Sequence, residues 1–147
     1  MPARTSSRRA AVAIWMRAAR IFRLLDDLGD RMLRGHGLSS RRFDVLAQLR
    51  LEEGISQAEL ASSLVVTKGG VSQLVSSMEA EGLLRREQEG RRMLLRLTER
   101  GRALAARAVP EEEELLASSL RGLSAGELKE LSRLLRKWEA SIKEPRS

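Results

Sequence analysis

The sequence lacks cysteine, has one histidine, and contains only 3% aromatic residues among its 147 positions. The absence of cysteine excludes disulfide bonds, thiolate metal sites and cysteine-based redox switching, and a reducing cytoplasm fits it. A single histidine disfavours a histidine-rich zinc site, and the sequence shows no histidine-based catalytic triad. No phosphate-binding glycine loop is present either. We therefore expect a cytoplasmic protein that is not an enzyme and binds no metal or cofactor.

Long hydrophobic runs are also missing, so we expect no membrane-spanning segment and no membrane partner. Apolar residues nevertheless make up 42% of the chain, which is enough for the core of one domain over residues 1–147. The arginine-rich and acid-free start of the chain is also typical of an organelle transit peptide. We favour a structural helix, because Trp15, Phe22 and Leu25 recur at helical spacing.

Positive charge is abundant, and it is carried mainly by arginine. The formal net charge is +7, and 23 of the 27 basic residues are arginines. A guanidinium group binds phosphate in a bidentate manner, so this composition suits a nucleic-acid partner. Since basic stretches are often only solvated surface, charge alone does not decide the function.

A helix-turn-helix pattern occupies the middle of the chain. Ser56 and Glu59 form a capping-box sequence that predicts a helix over residues 57–63. We expect Thr67 to cap a second helix, whose apolar positions share one face. The opposite face is polar, and its candidate DNA-binding residues are Thr67, Lys68, Gly69, Ser72, Gln73 and Ser76. Gln73 is the candidate for a bidentate contact with adenine, and Lys68 for a phosphate contact.

An arginine-rich hairpin follows this helix. Residues 83–86 and 93–97 have the composition of two strands, and Glu89, Gly90 and Arg91 form the predicted tip. Arginine is favoured in narrow minor grooves, where the electrostatic potential is most negative. The candidate DNA-binding residues of this wing are Arg86, Arg91 and Arg92.

Apolar positions in the two ends of the chain predict dimerisation helices at residues 8–35 and 102–143, on either side of a DNA-binding lobe at residues 38–101. Pro110 is expected to kink or restart the helix that contains it. The last helix has an apolar seam at spacings of three and four, made of Leu128, Leu131, Leu135, Trp138 and Ile142. Such a seam predicts a partner helix, and we expect a twofold homodimer.

Three ordered motifs carry a family resemblance: Phe43-Asp44-Val45-Leu46, Met78-Glu79-Ala80-Glu81-Gly82-Leu83 and Leu97-Thr98-Glu99-Arg100-Gly101. With them, the chain resembles the MarR family of bacterial transcription regulators. The resemblance implies a mainly α fold with a small β wing, in which a winged helix-turn-helix is flanked by N- and C-terminal dimerisation helices. Wings of this family usually hold an aspartate directly before two arginines, whereas Gly90 stands there in this sequence. Glu89 is the acid available to substitute for it.

The same resemblance implies a dimeric repressor that binds double-stranded DNA at a pseudo-palindromic operator and is released by a small aromatic or phenolic ligand. The ligand pocket that it implies is lined by Trp15, Ala19, Phe22, His36, Phe43 and Leu46. Two alternatives remain open from the residues. One is a winged helix that contacts an acidic protein, and the other is a DNA-compacting protein without a ligand or a preferred site.

Overall fold

A computed structural model describes residues 2–64 and 69–143, with side chains from residue 7 onward. It divides into two compact units, residues 1–112 and 113–147. The described elements, in chain order, are α1 (Pro2–Arg34), α2 (Ser40–Leu51), α3 (Gln57–Ser63), α4 (Val71–Ala80), β1 (Leu84–Glu89), β2 (Arg92–Leu97), α5 (Glu99–Ser119) and α6 (Ala125–Lys143). The predicted mainly α fold with a small β wing is confirmed.

The wing is an antiparallel pair in which Leu84 lies opposite Leu97 and Glu89 lies opposite Arg92. Ile55 adds a single bridge to Leu95, through a bond of 2.8 Å from the Leu95 amide to the Ile55 carbonyl. Ile55 therefore forms an isolated one-residue bridge to the wing. This bridge fixes the start of α3 against the base of the wing.

An aliphatic core joins α2, α3, α4, the base of the wing and the first half of α5. Its largest fully buried side chains are Leu46, Leu49, Leu60, Met78, Leu84, Leu95, Leu97, Val45 and Val75. Helix α1 reaches this core with its carboxyl-terminal end, where Leu33 is 3% exposed, whereas Trp15 and Phe22 are 62% and 55% exposed. The apolar face of α1 that the sequence shows is thus mostly uncovered in the single chain.

Serine caps begin three helices where local sequence predicts them. The Ser39 side chain caps α2, and Ser56 forms a complete capping box with Glu59 at α3. Before α6, the Ser124 amide donates to Glu127 Oε2 at 2.7 Å and the Glu127 amide donates to Ser124 Oγ at 3.3 Å. Each cap satisfies amides that have no partner within the helix.

Two boundaries differ from the sequence prediction. Helix α4 begins at Val71, later than a cap at Thr67 would place it, because Gly69 and Gly70 have φ values of 71° and 63°. That left-handed backbone is incompatible with an α-helix, so the helix starts after the glycine pair. Helix α5 runs without interruption from Glu99 to Ser119 with Pro110 inside it, so of the expected kink or restart at Pro110 the restart is wrong, and the kink stays a prediction.

The turn after α4 contacts the start of α5. The Thr98 hydroxyl donates to the Gly82 carbonyl at 2.5 Å and accepts from the Gly101 amide at 3.0 Å. A Cβ on Gly101 would lie 1.9 Å from the Leu83 carbonyl oxygen. Glycine is therefore required at 101 because backbone occupies the space of a side chain.

Helix α6 lies in the second unit and buries none of its residues. Its apolar seam is open to solvent, with Leu135 50% exposed and Ile142 70% exposed. Over the described ranges 2–64 and 69–143, no helix is both long and apolar enough to cross a bilayer.

Candidate nucleic-acid interface

Helix α4 presents one buried face and one polar face, as the apolar spacing predicts. Val75 and Met78 are fully buried, whereas Ser72, Gln73 and Ser76 are exposed. The buried face fixes the rotation of the helix, so these three polar side chains point away from the core together. They are short or flexible hydrogen-bonding groups of the kind that can approach base edges.

The remaining residues predicted for this surface lie before the helix. Thr67 and Lys68 are outside the described residues, so their candidate DNA contacts stay predictions. Gly69 is exposed but stands outside α4, in the turn that precedes it. It is therefore not part of the polar helix face to which the sequence pattern assigned it.

Two neighbouring arginines of α2 hold the two ends of α4. Arg41 Nη2 donates to the Gly69 carbonyl oxygen at 2.7 Å. Arg42 donates to Glu81 at the other end, with 2.6 Å between Nη1 and Oε2, and its Nη2 lies 3.1 Å from Ser77 Oγ. The hydrogen bonds from Arg42 lower the pKa of the Glu81 carboxyl below its ordinary value. Sequence reasoning missed both arginines, since partners 28 and 39 positions apart along the chain carry no local signal of their pairing.

Arg86 extends from β1 toward the helix-turn-helix, where its side chain is 28% exposed. Its Nη1 lies 3.1 Å from Glu79 Oε2, and its Nη2 lies 3.3 Å from both Gln57 Oε1 and Ser76 Oγ. This guanidinium therefore links the wing to α3 and α4. Both terminal nitrogens of Arg86, a predicted DNA-binding residue of the wing, are thus engaged with protein groups on three other residues.

The wing tip is a two-residue turn of Gly90 and Arg91 between the paired residues Glu89 and Arg92. Gly90 has a φ of 60°, as a type II′ hairpin turn requires at its first central position. Gln88 Nε2 donates to the Gly90 carbonyl at 2.8 Å and closes the turn. Arg91 is exposed at this tip, and it forms no hydrogen bond or ion pair within the described part of the chain.

The acids of the wing are directed away from Arg91. Glu89 Oε2 lies 3.6 Å from Arg96 Nη2, and Glu87 Oε2 lies 2.9 Å from Arg96 Nε. The expectation that Glu89 substitutes for the missing aspartate beside Arg91 is therefore wrong in this structure. In the register Arg96 lies opposite Arg85, so Glu87 is its diagonal neighbour, and Glu89 lies two residues farther along β1 on the same face of the sheet.

Arg92 is tied to the helix-turn-helix. Its Nη2 lies 2.6 Å from Glu59 Oε1, while Glu59 Oε2 accepts from the Ser56 amide at 2.7 Å. The bond from the Ser56 backbone, followed by the charge of Arg92, lowers the pKa of the Glu59 carboxyl. Glu59 thus caps α3 and holds one side of the wing at the same time.

Together these pairs remove acidic charge from the polar face of α4. Glu79 and Glu81 are matched by Arg86 and Arg42 on neighbouring elements. A surface with exposed hydroxyl and amide groups and paired carboxylates can approach a polyanion at a low electrostatic cost. At the wing tip, Arg91 is a further exposed cation, with no ion-pair partner among the described residues.

The six residues expected to line a ligand pocket do not converge in the single chain. Phe43 and Leu46 are buried in the core, whereas Trp15 and Phe22 are exposed on α1. Trp15 and Ala19 line a shallow open groove on α1, together with Met16, Arg20 and Arg23. His36 instead pairs with Glu111 on α5, with 2.9 Å between Nε2 and Oε2.

Comparison with known proteins identifies the family of this chain. The sequence model of the MarR family matches residues 36–92, which span α2, the helix-turn-helix and most of the wing. A helix-turn-helix-type transcriptional regulator of Bacillus cereus is 36% identical over 99 residues, covering 67% of each chain. The chain belongs to the MarR family. It is a transcriptional regulator of the MarR type, and its relatives are regulators rather than enzymes.

Solved structures agree with this MarR fold. BpsR of Bordetella bronchiseptica, described for the regulation of its DNA binding by 6-hydroxynicotinic acid, is 25% identical, with a TM-score of 0.72 over 85% of this chain and 93% of its own. The DNA complex of Staphylococcus aureus MepR is 23% identical, with a TM-score of 0.76 over 85% of this chain and 94% of its own. At 23% identity, the MepR match indicates only that the two proteins share a fold.

Proposed function

We propose that this MarR-family chain is a repressor that binds a pseudo-palindromic operator as a homodimer. The observation that carries the proposal is the exposed polar face of α4, whose acids are paired, while Arg91 at the wing tip has no ion-pair partner among the described residues. In this proposal Ser72, Gln73 and Ser76 face the major groove and Arg91 faces the minor groove. The DNA complex of MepR supports a DNA-binding use of this fold.

The dimer is proposed from apolar surface that the single chain leaves uncovered. On α1, Ile14 is 58% exposed and Trp15 62%, and on α6, Leu135 is 50% exposed. Soluble proteins rarely expose so many large apolar side chains without a partner surface. A twofold dimer would present two copies of α4, and each copy would bind one half-site of the operator.

Release by a small aromatic or phenolic ligand is the third part of the proposal. BpsR supports it, because 6-hydroxynicotinic acid regulates the DNA binding of that protein. Since the expected pocket residues do not meet within one chain, any ligand site that includes Trp15 or Phe22 would need further surface to enclose it.

The decisive experiment is footprinting of the purified full chain on the DNA upstream of its own gene, repeated with aromatic acids and phenols. We expect one protected pseudo-palindrome at moderate salt. Protection without a preferred site would favour DNA compaction, and no binding at all would favour a protein-contacting winged helix.

Arg91→Ala tests the wing within the same experiment. We expect weaker operator binding and a salt dependence of affinity that falls by about one unit, as for the loss of one phosphate or groove contact. Arg102→Ala is the matched control, because that guanidinium is already held by Glu53 at 2.9 Å. Equal behaviour of the two variants would show that Arg91 does not contact DNA.

A further inference from the structure

Arg86 was expected to contact DNA, but its surroundings indicate a different role. The guanidinium shares its Nη2 between Gln57 Oε1 and Ser76 Oγ, both at 3.3 Å. Glu79 lies 3.1 Å from Nη1 and balances the positive charge. Arg86 is therefore poorly placed to act as a phosphate-binding cation, and well placed to orient the groups around it.

The chemistry of the guanidinium decides how these groups are oriented. An arginine side chain has only N–H donors and no acceptor. Gln57 must consequently turn its amide oxygen toward Arg86, which leaves the amide nitrogen pointing elsewhere. The Ser76 oxygen accepts from Arg86 in the same way, so the hydroxyl proton is directed away from the guanidinium.

Ser76 is exposed on the polar face of α4, on the same side of the helix as Ser72 and Gln73. In the major groove, guanine N7 and O6, adenine N7 and thymine O4 accept hydrogen bonds, whereas the amino groups of adenine and cytosine donate them. A free serine hydroxyl serves either kind of partner by rotating. A hydroxyl that already accepts a hydrogen bond from Arg86 keeps its proton for donation, so it favours bases that present an acceptor atom.

We propose that Arg86 is a positioning residue that makes Ser76 a hydrogen-bond donor, and that the operator base pair opposite Ser76 is selected for an acceptor atom. This inference rests on the proposed DNA-binding function and deepens it. It assigns sequence preference to a residue of the wing that does not itself reach the DNA.

The test is selection of bound sites from a pool of random duplexes by the purified full chain, compared with Ser76→Ala, Arg86→Met and Arg86→Lys. Ser76→Ala identifies the base pair concerned, and we expect its preference to fall about five-fold, in line with one lost hydrogen bond. Arg86→Met should lose the same preference. Arg86→Lys should restore part of it, because an ammonium group also only donates.

A purely structural role of Arg86 would give a different pattern. Arg86→Met would then weaken preference at every base pair, including the one that changes in a Gln73→Ala control. In our proposal, adding Arg86→Met to Ser76→Ala causes no further loss at the Ser76 base pair. Additive losses at that position would overturn the proposal, even if Arg86→Met also lowers the stability of the lobe.

Modified bases give a second measurement on the selected site. Replacing a preferred purine by its 7-deaza analogue, or the O4 of a preferred thymine by sulfur, should weaken wild-type binding but leave Ser76→Ala nearly unchanged. Preference of wild type for cytosine on the contacted strand would contradict the donor role. If the wild-type chain selects no site at all, the proposed function itself fails, which is a distinct result.

Discussion

The lobe formed by α2 to β2 and the helix α6 use similar residues in opposite ways. In the lobe, leucines such as Leu46 and Leu60 are completely buried, whereas α6 buries no residue and leaves Leu135 half exposed. The ion pairs of the two regions also differ, because most of those in the lobe join separate elements, whereas those described in α6 lie within one helix. Arg42 bonds to Glu81 across two helices, but Arg133 and Glu130 pair within α6 itself. The lobe thus buries its leucines within one chain, while the apolar seam of α6 is exposed in the described part of the structure.

The largest effect that tests this comparison is expected where the start of α5 packs against the lobe. Gly101→Ala places a Cβ 1.9 Å from the Leu83 carbonyl oxygen, which is backbone and has little freedom to move. We expect the free energy of unfolding to fall by about 3 kcal/mol, as for an overpacked core. Urea unfolding followed by circular dichroism measures it.

Gly29→Ala in α1 is the matched control, because a Cβ there meets no atom within 4 Å. It should stabilise the helix by roughly 0.5–1 kcal/mol, through the higher helix propensity of alanine. Similar losses in the two variants would mean that the close approach at Gly101 does not limit stability.

A substitution in the apolar seam of α6 is expected to change stability less than Gly101→Ala does. It should instead change the assembly of the protein. Leu135→Asp puts a charge into the exposed apolar seam, and in a twofold dimer it does so twice. We expect dimer dissociation to become easier by about 100-fold or more, since an unpaired charge resists burial. Sedimentation velocity across a range of concentrations measures the change.

Lys129→Asp on the charged side of α6 controls for the added carboxylate, and we expect it to remain dimeric. A wild-type chain that sediments as a monomer would refute the proposed dimer. So would a Leu135→Asp variant that assembles like wild type.

The smallest effect concerns the ion pairs and their dependence on pH. Hydrogen bonds from Arg42 hold the pKa of Glu81 below its value in the unfolded chain. A carboxyl with a lowered folded-state pKa stabilises the fold above its unfolded-state pKa, and that contribution is lost as pH falls through the folded-state pKa. We therefore expect Glu81→Gln to reduce the stability of the lobe at neutral pH and to flatten its decline in acid.

Glu139→Gln provides the comparison in α6. Lys143 likewise lowers the pKa of Glu139, but the two residues are one turn apart on the same helix. Its removal should affect only the end of α6 and leave unfolding of the lobe unchanged. Thermal unfolding of both variants between pH 3 and pH 7 measures the difference. If Glu81→Gln and Glu139→Gln change the stability of the lobe equally, the distinction between tertiary and local ion pairs is wrong.

Much of the fold was predictable because its signals are local. The capping box of Ser56 and Glu59 joins residues three positions apart, so the sequence itself indicates the start of α3. The spacing of Val75 and Met78 likewise predicted which face of α4 is buried. The hairpin was recognised from its composition, although its strands extend farther toward the tip than predicted.

The order of the elements, the polar face of α4 and the family could be inferred from the residues, because helical periodicity, caps and motifs act over a few positions. Which charges remain available, in contrast, depends on how the elements pack. Arg86, Arg91 and Arg92 are equivalent candidates in the sequence, yet packing engages Arg86 with Glu79, engages Arg92 with Glu59 and leaves Arg91 at the tip. Ion pairing depends on a few ångströms of distance, and only the folded chain sets distances between residues that are far apart in sequence.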